Sequence, residues 1–471
     1  MRLLERSVGE YAPVTAPSDS PPDWRDALLA GAVPLPVVAA GRPFPWPGYA
    51  ARPSVAVHLL AGRAVVAAWD FTVFGGSFGE DDATALVEAA HQAVERRLPL
   101  VTVVRSGGTR LQEGMSALVG IPRARLALLD LAAVGLPHLS VADAPTTGGV
   151  WISVASAADL RVAVEGATVG FAGPRVVEAV TGSLPAPGSH TATSAAAAGL
   201  VDAVLPGEQV PGWLDAALHA LTPDPVPVPA PAAPLVPDVV GGWDQVQRTR
   251  ARTTSGAELL AALVQDRVPL AARLGDASVV ACVGRVAGRP VVAVALAASL
   301  RGRPTPDGYR LAARAYRLAA RLGLPVLSLV DTPGAEPGTE SEQDGIAPAM
   351  GEALDALLTC PTPTLALVHG EGGSGGALAA AACDVVLCTQ DSYFAAIGPE
   401  GASAALRRPP QECADLLRLT PADLLALGAV DAVVAPSDAV AHLVALLDRD
   451  DDDRRAARRT RWSAPLPGTL R

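Results

Sequence analysis

The chain has 471 residues, half of them hydrophobic and 18% charged, with a formal net charge of −11. This length predicts two or more domains, and the composition excludes a disordered protein. The negative charge argues against nucleic acid or anionic membranes as partners. All basic residues are arginine, so mechanisms that need a lysine side chain are excluded.

The first fifty residues are rich in proline and lack clear periodicity, so residues 1–51 are expected to form a loosely structured arm. The N-terminus carries a glutamate before any apolar run, which argues against a signal peptide. No uncharged apolar run is long enough to span a membrane. The five cysteines form no CxxC pair, which favours buried free thiols over disulfides or a zinc site. These features predict a cytoplasmic protein.

The rest of the chain repeats one order of motifs. Apolar runs such as PLVTVV and PTLALVH predict buried strands, and DDATALVEAAHQAVERR and GYRLAARAYRLAARLG predict amphipathic helices, so each copy is α/β. Residues 52–221 and 239–447 are the two expected domains. An extended Pro-rich linker at 222–238 joins them, and a solvated charged tail follows at 448–471. Four pairs of residues, 225 to 229 positions apart, mark the repeat: Gly107 with Gly334, Gly149 with Gly376, Asp159 with Asp384, and Asp202 with Asp431.

The densest glycine cluster is GEGGSGG at 370–376. A P-loop is excluded because that motif needs lysine. Three glycines of this cluster fit the dinucleotide-binding pattern GxGxxG, and Asp391 lies near the spacing expected of a ribose-binding acid. The corresponding element of the first copy, PTTGGV, lacks these three glycines. Ser374 fits GxSxG, and Asp431 and His442 follow in hydrolase order, although the first copy has Thr147 at the serine's place and no matching histidine.

A fourth interpretation accounts for both copies. A Gly-Gly pair at a helix N-terminus presents bare N–H donors, and the helix dipole adds partial positive charge. A further donor could come from the preceding loop, at 106–108 or 333–335. Amides that converge on one point form an oxyanion hole. We therefore expect one such hole in each copy, with close helix–sheet packing as the simpler alternative.

Longer motifs resemble a known family, the carboxyltransferase component of biotin-dependent acyl-CoA carboxylases. The first half resembles the β subunit of bacterial acetyl-CoA carboxylase in DFTVFGGSFGE, SGGTRLQEG, PTTGGV and EGATVGFAGPRVVE. The second half resembles the α subunit in GRPTPDGYRLAARAYRLA, DTPGAEPGTESEQDG, GEGGSGGALA, IGPEGASAAL and LTPADLLALGAVDAVV. The resemblance covers roughly 52–221 and 240–447 and implies a β–α fusion of two tandem crotonase-like (ClpP/crotonase, spiral ββα) domains.

The resemblance also implies the reaction and its site. Carboxybiotin would donate a carboxyl group to a short acyl-CoA, most naturally acetyl-CoA giving malonyl-CoA, at a dimer interface. The first half would hold the thioester enolate with Gly107, Gly108, Gly148 and Gly149. The second half would hold the ureido oxygen of biotin with Gly334, Ala335, Gly375, Gly376 and Ala377. Acyl-CoA would contact Ser106, Arg110, Phe171 and Arg310.

Departures from the family pattern shape the remaining expectations. The usual GYRKA is GYRLA here, Glu336 replaces a common aromatic residue, and residues 1–50 contain no cysteine for a zinc ribbon, so no zinc is expected. The chain has no biotinyl-lysine motif and no ATP-binding glycine loop, so biotin carboxyl carrier protein and biotin carboxylase would be separate chains. The protein itself is expected to be a homodimer or higher homo-oligomer. The alternatives are a non-catalytic assembly partner and a same-fold decarboxylase or carboxyltransferase that acts on a CoA-bound or carrier-bound malonyl or acyl thioester in a specialised pathway.

Overall fold

Two eight-stranded sheets organise the chain in a computed structural model that describes residues 23–39, 41–448 and 454–466. The strands of the first sheet are β1 (Val33–Leu35), β2 (Val55–Leu60), β3 (Ala64–Trp69), β4 (Leu100–Ser106), β5 (His138–Thr147), β6 (Leu160–Val164), β7 (Val169–Gly170) and β8 (Ala203–Leu205). The strands of the second are β9 (Gln265–Leu270), β10 (Val279–Val286), β11 (Arg289–Leu296), β12 (Val326–Thr332), β13 (Thr364–Gly373), β14 (Val385–Cys388), β15 (Tyr393–Ala395) and β16 (Ala432–Val433).

The two sheets have the same topology. The first three strands of each are antiparallel, and the rest pair in parallel, in the orders β1-β2-β3-β4-β5-β6-β8 and β9-β10-β11-β12-β13-β14-β16. β7 and β15 extend the ends of β5 and β13. The central strands are Val/Ala/Leu-rich runs buried along almost their whole length, because helices cover both faces of a parallel sheet. The predicted α/β layering is confirmed.

Helices fill the connections. In the first half they are α1 (Trp24–Leu28), α2 (Glu80–Arg96), α3 (Met115–Ala133), α4 (Gly149–Ser153), α5 (Pro174–Thr181), α6 (Ala192–Ala197) and α7 (Val210–Ala220). In the second half they are α8 (Gly242–Arg250), α9 (Gly256–Leu263), α10 (Pro306–Leu322), α11 (Thr339–Gln343), α12 (Ile346–Leu358), α13 (Ser374–Ala381), α14 (Pro399–Leu406), α15 (Pro410–Leu416), α16 (Pro421–Leu427), α17 (Ala439–Leu447) and α18 (Arg454–Ser463).

The strands that carry the glycine motifs repeat with an offset of 226 residues. β4 and β12, and likewise β5 and β13, begin and end 226 positions apart. Both copies have a register shift before the last pair of this ladder, at Ser106 opposite Thr146 and at Thr332 opposite Gly372. The predicted pairings of Gly107 with Gly334 and of Gly149 with Gly376 were therefore both wrong by one residue, because sequence letters alone could not locate the register. Gly334 corresponds to Gly108, and Gly149 corresponds to Gly375.

The aspartate pairs of the repeat are confirmed by their hydrogen bonds. Asp159 accepts the first N–H of β5, and Asp384 accepts the first N–H of β13. Asp202 accepts from Arg161 in β6, and Asp431 accepts from Val386 in β14. Each carboxylate therefore fixes a strand end in its own half.

The two halves share one hydrophobic core, which runs from Val101 and Leu214 to Val268 and Tyr309. Helix α10 of the second half also binds the first half by charge. Arg314 donates to Asp202 at 2.7 Å, and Arg321 forms an ion pair with Asp159. The same aspartates that fix strand ends thus anchor the interface between the halves.

The C-terminal segment corrects one prediction. Residues 454–463 form α18 rather than a solvated tail, and Arg458 is buried against Asp384, with Nε–Oδ1 at 2.8 Å. Arg461 reaches Asp431 at 2.8 Å. The charged run folds because its arginines pair with two carboxylates of the second half, for which the described residues offer no other ion-pair partner. The rest of the predicted tail falls partly on residues 449–453 and 467–471, outside the described residues.

The N-terminal prediction also needs correction where the structure describes it. α1 and β1 are ordered, and β1 pairs antiparallel with β2 at the edge of the first sheet. Residues 1–22 and 40 lie outside the described residues. The Pro-rich stretch 223–241 contains neither helix nor strand and is attached to the second half through Asp224 N–H to Gly288 O and Leu235 N–H to Val433 O.

Candidate active site

In the first half, a close approach of two loops forms the site. The loop after β4 turns at Gly108 (φ +115°), and the chain enters α4 at Gly148 (φ +72°). A Cβ on Gly148 would lie 2.9 Å from the Cα of Gly108, which real Cβ atoms do not tolerate. Glycine is therefore required here both for its left-handed backbone and for the contact.

Hydrogen bonding separates the amides that can act from those that cannot. Gly107 donates to Gly75 O at 3.1 Å, and Gly148 donates to Phe171 O at 3.0 Å. The prediction that these two donate to an oxyanion is therefore wrong, since their N–H groups bind other backbone atoms. Gly108 donates to the Ser106 hydroxyl at 3.2 Å. Among the described residues, the amides of Thr109 and Gly149 have no acceptor, so these are the donors that the fold leaves available.

The second half repeats this arrangement. Gly334 (φ +131°) donates to the Thr332 hydroxyl at 3.1 Å, as Gly108 does to Ser106. Gly376 lies so close to the loop that a Cβ would be 2.6 Å from Ala335 N and 2.7 Å from the Tyr309 hydroxyl. In the described part of the chain, the amides of Ala335, Gly375 and Gly376 have no acceptor. Ala377 follows, fully buried in the first turn of α13.

A hollow opens in front of the second set of amides. It measures about 280 Å³ and is lined by Ser374, Gly375, Leu378, Phe394, Ala395 and Ala396. Ser374 has φ +60° and stands where the first half has Gly148. The prediction that Thr147 occupies the serine's place was therefore wrong by one residue. The hollow is largely apolar, with N–H groups at its edge, so it can receive a small ring whose oxygen points to the helix N-terminus.

The structure excludes the dinucleotide-binding and serine-hydrolase interpretations of the glycine cluster at 370–376. Gly370 and Gly372 lie inside β13 and not in a loop, so they cannot cradle a dinucleotide phosphate. Asp391 lies 3.7 Å from Arg248 as an ion pair. Asp431 binds Val386 N–H and Arg461, so it is not available to orient a catalytic histidine for Ser374.

The residues predicted to hold acyl-CoA fall into two groups. Ser106 and Arg110 are fully buried; Arg110 binds Asp82 at 2.6 Å and the Ser77 carbonyl at 2.5 Å. The prediction that their side chains bind acyl-CoA is therefore wrong, because a buried Arg110 is needed to neutralise Asp82. Phe171 is 72% exposed beside Gly148, and Arg310 is held by two carboxylates, Asp307 and Asp344. Their roles stay predictions.

A buried ionic cluster that the sequence analysis did not predict lies next to the second oxyanion hole. Glu371 is 1% exposed and accepts from the Tyr393 hydroxyl at 2.5 Å and from Arg250 Nε at 3.3 Å. Burial and the neighbouring Glu371 raise the pKa of Tyr393. The side chain of Arg301 reaches the other carboxylate oxygen at 3.2 Å. The only sequence signal was a glutamate inside an otherwise buried strand, which calls for a partner.

Comparisons with known proteins agree with this geometry. Residues 60–205 match the carboxyl transferase domain family, and residues 243–446 match the acetyl co-enzyme A carboxylase carboxyltransferase-like family. The acetyl-coenzyme A carboxylase carboxyl transferase subunits beta/alpha of Salinispora tropica are 40% identical over 413 residues, or 82% of this chain and 73% of the relative. A probable biotin-dependent acyl-coenzyme A carboxylase beta3 subunit from Mycobacterium bovis is 36% identical, covering 80% of this chain and 78% of its own.

A solved structure supports the fold. Transcarboxylase 12S, crystallised as a hexamer with methylmalonyl-coenzyme A bound, has a TM-score of 0.74 and 25% identity, covering 90% of this chain and 89% of its own. The predicted pair of crotonase-like domains is thereby confirmed. All five cysteines are buried and unpaired. Over residues 23–39, 41–448 and 454–466, no set of three His, Cys, Asp or Glu side chains is arranged to hold a metal, and no helix has the length and apolarity to cross a membrane.

Proposed function

This chain belongs to the carboxyltransferase family of biotin-dependent acyl-CoA carboxylases, and we propose that its acceptor is acetyl-CoA, which it converts to malonyl-CoA. The Salinispora relative carries the acetyl-CoA carboxylase name. The Mycobacterium relative is named only as an acyl-CoA carboxylase, and transcarboxylase 12S holds methylmalonyl-CoA. The pair of glycine-built sites with unused amides carries the proposed carboxyl transfer, and the name of the Salinispora relative supports acetyl-CoA as the acceptor.

The first half would act on the thioester. As the acyl group loses its α-proton, negative charge develops on the thioester oxygen, and the amides of Thr109 and Gly149 would receive it. A single such donor typically lowers the barrier by about 3–4 kcal/mol. The exposed ring of Phe171, beside Gly148, would pack against the acyl-CoA. No side-chain base is required of the chain, which agrees with a site built from main-chain groups.

The second half would hold biotin, delivered by a carrier on a separate chain. The hollow beside Gly375 fits the group, because it combines an apolar wall at Leu378 and Phe394 with free N–H groups for the ureido oxygen. When bound, carboxybiotin supplies the carboxyl group as CO2 and a ring nitrogen that can accept the proton. The chain's own part is to orient the ring and to polarise its oxygen through Ala335, Gly375 and Gly376.

The assembly follows from the same proposal. The carboxylase and the biotin carrier would be separate partners, and two or more copies of this chain would associate in the cytoplasm. Leu126, Ile152 and Val180 are each more than half exposed on α3, α4 and α5, and such apolar surface is typical of an interface. The domain boundaries at 52–221 and 239–447, with a linker at 222–238, form part of this proposal. The product would feed fatty-acid or polyketide synthesis.

A biotin-exchange assay tests the activity. The purified chain should transfer a carboxyl group from malonyl-CoA to biocytin, and faster than from methylmalonyl-CoA. Faster reaction with methylmalonyl-CoA would refute the acetyl-CoA assignment while leaving the carboxyltransferase intact. Release of CO2 from malonyl-CoA without biocytin, at the full rate, would favour a decarboxylase. Folded protein inactive in every arm would favour a non-catalytic assembly partner.

A further inference from the structure

A short turn supports the loop that forms the first oxyanion hole. The turn consists of Phe74–Gly76, and all three residues have positive φ, from +49° to +63°. Gly75 O accepts from Gly107 N–H at 3.1 Å. Just after the turn, Phe78 N–H donates to Gly108 O at 2.8 Å. Two backbone hydrogen bonds therefore fix the loop to the turn.

The second of these bonds sets the direction of a donor of the hole. The carbonyl of Gly108 and the N–H of Thr109 belong to one planar trans peptide, so they point in opposite directions. Because Phe78 N–H holds the carbonyl, it also fixes where the Thr109 N–H points. A misplacement of about 1 Å in a reacting group can cost about 100-fold in rate. Movement of the turn would therefore misdirect this donor.

The turn has a strained backbone that its surroundings must hold. Phe74 has φ +49°, which is disfavoured for any residue with a side chain, and such strain persists only where neighbouring groups enforce it. Three groups lie against the Phe74 ring. The guanidinium carbons of Arg52 and Arg110 are 5.8 and 5.0 Å from its centroid, and the centroid of the Tyr49 ring is 5.1 Å away.

Tyr49 belongs to an irregular segment, residues 42–50, which we call the strap. The strap contains neither helix nor strand, but the Tyr49 hydroxyl donates to the carboxylate of Glu113. The same carboxylate accepts from Glu80 N–H at 2.5 Å, at the start of α2. Burial, followed by the bond to Glu113, raises the pKa of Tyr49 to about 12, so the hydroxyl keeps its proton and remains a donor. The ring of Tyr49 is thus fixed where it meets Phe74.

The second half lacks both backbone bonds of this kind. With the offset of 226 residues, Pro333 and Pro304 stand where the first half has its two donors, and proline has no N–H. Instead, the Thr332 hydroxyl donates to Gly302 O in the corresponding turn, at 2.8 Å. A contact that holds the turn of the first half should therefore affect the first hole and not the second.

We propose that Tyr49 is a positioning residue for carboxyl transfer, which acts through Phe74 to keep the Thr109 amide directed at the thioester oxygen. The proposal rests on the function proposed above. The strap thereby stabilises the first oxyanion hole and leaves the second unaffected.

The malonyl-CoA and biocytin exchange assay tests this role by separating kcat from KM. In Tyr49→Ala, kcat should fall about 10- to 100-fold while KM for malonyl-CoA changes less than about threefold, because Tyr49 acts on a donor and not on the bound substrate. In Tyr49→Phe the ring stays against Phe74, so kcat should remain within about threefold of the parent. Circular dichroism verifies that each variant is folded.

Trp46→Ala is the matched control within the strap. Trp46 is 52% exposed, and in the described part of the chain its ring has no aromatic or cationic partner. The substitution removes a large ring from the same segment without touching Phe74, so kcat should equal that of the parent.

Hydrogen exchange gives a second readout that does not depend on activity. In Tyr49→Ala, the backbone amides of residues 107–110 should exchange about tenfold faster, because the turn that holds them is released. Those of residues 334–336 in the second half should exchange as in the parent. Mass spectrometry of peptides from each loop measures both rates on the folded protein.

These measurements separate the role of Tyr49 from the proposed function. A parent protein without carboxyl exchange would refute the proposed function, and hydrogen exchange would still decide whether the strap holds the loop. With an active parent, kcat within about twofold in folded Tyr49→Ala would overturn the inference. Equal losses in Tyr49→Ala and Trp46→Ala, or a higher KM with unchanged kcat, would overturn it too. Unchanged exchange over residues 107–110 would overturn it whatever the activity.

Discussion

Gly376→Ala isolates the second oxyanion hole with a single methyl group. The added Cβ would meet Ala335 N at 2.6 Å and the Tyr309 hydroxyl at 2.7 Å. Tyr309 is fully buried, and the other atom belongs to the backbone, so neither can yield cheaply. The methyl group therefore has to push the loop that carries the Ala335 amide away from the helix N-terminus.

The expected loss follows from what one misplaced donor costs. Removal of a single oxyanion-hole donor typically reduces kcat by about 100- to 1,000-fold, or roughly 2.7–4 kcal/mol. Stability should change much less, because alanine is favoured over glycine within a helix by about 1 kcal/mol and offsets part of the strain. We therefore expect a folded protein with severely reduced carboxyl transfer.

The malonyl-CoA and biocytin exchange assay measures this effect. kcat should fall at least 100-fold in Gly376→Ala, with little change in KM for malonyl-CoA, which the first half would bind. Gly351→Ala is the matched control: its Cβ meets nothing within 4 Å in α12, and its activity should equal that of the parent. Activity within twofold of the parent in a folded Gly376→Ala protein would refute the assignment of these amides.

Three further predictions concern stability. Ser374→Gly should raise the free energy of unfolding by about 1 kcal/mol in urea titrations, because Ser374 sits at φ +60° where a side chain is strained; a loss would contradict that reasoning. Arg458→Ala should cost about 3–5 kcal/mol by leaving Asp384, whose side chain is only 10% exposed, without its ion-pair partner, whereas the exposed neighbour Arg459→Ala should cost under about 0.5 kcal/mol; equal effects would contradict the docking of α18. Burial lowers the pKa of His138 and His369 to about 3, so between pH 6.5 and 5 these rings take up protons only in the unfolded chain. The free energy of unfolding should therefore decrease as the pH falls below 6.5, with a slope that approaches about 1.4 kcal/mol per pH unit for each ring by pH 5, and His138→Asn should reduce that slope.

The architecture could be predicted from the sequence because the residues that mark the repeat each have a single structural role. The aspartates that fix strand ends recur in the same order in both copies, and the interval from Asp159 to Pro174 equals that from Asp384 to Pro399, where the Gly-Pro helix starts lie. Alternating apolar runs and amphipathic helices then required α/β layering. These features depend on residues that are close together in the sequence, so sequence patterns alone predict them.

The details of the site could not be predicted in the same way. A one-residue slip in the alignment paired Gly107 with Gly334, because only the bonds to Ser106 and Thr332 reveal that Gly108 is its true counterpart. Arg110 resembled a ligand-binding arginine until its burial against Asp82 was visible. Which amide is free depends on acceptors that lie far away in the sequence, such as the carbonyl of Phe171.

Helix α18 occupies a position on the second half that corresponds to that of α10 on the first. The first half is closed by α10 of the unit that follows it, through Asp159 and Asp202. In the second half, α18 supplies the corresponding arginine contacts to Asp384 and Asp431. In a tandem array, terminal units need a dedicated cap with a polar outer face. Helix α18 therefore covers on the second half the carboxylates that α10 covers on the first, and another unit could bind those carboxylates only by displacing α18.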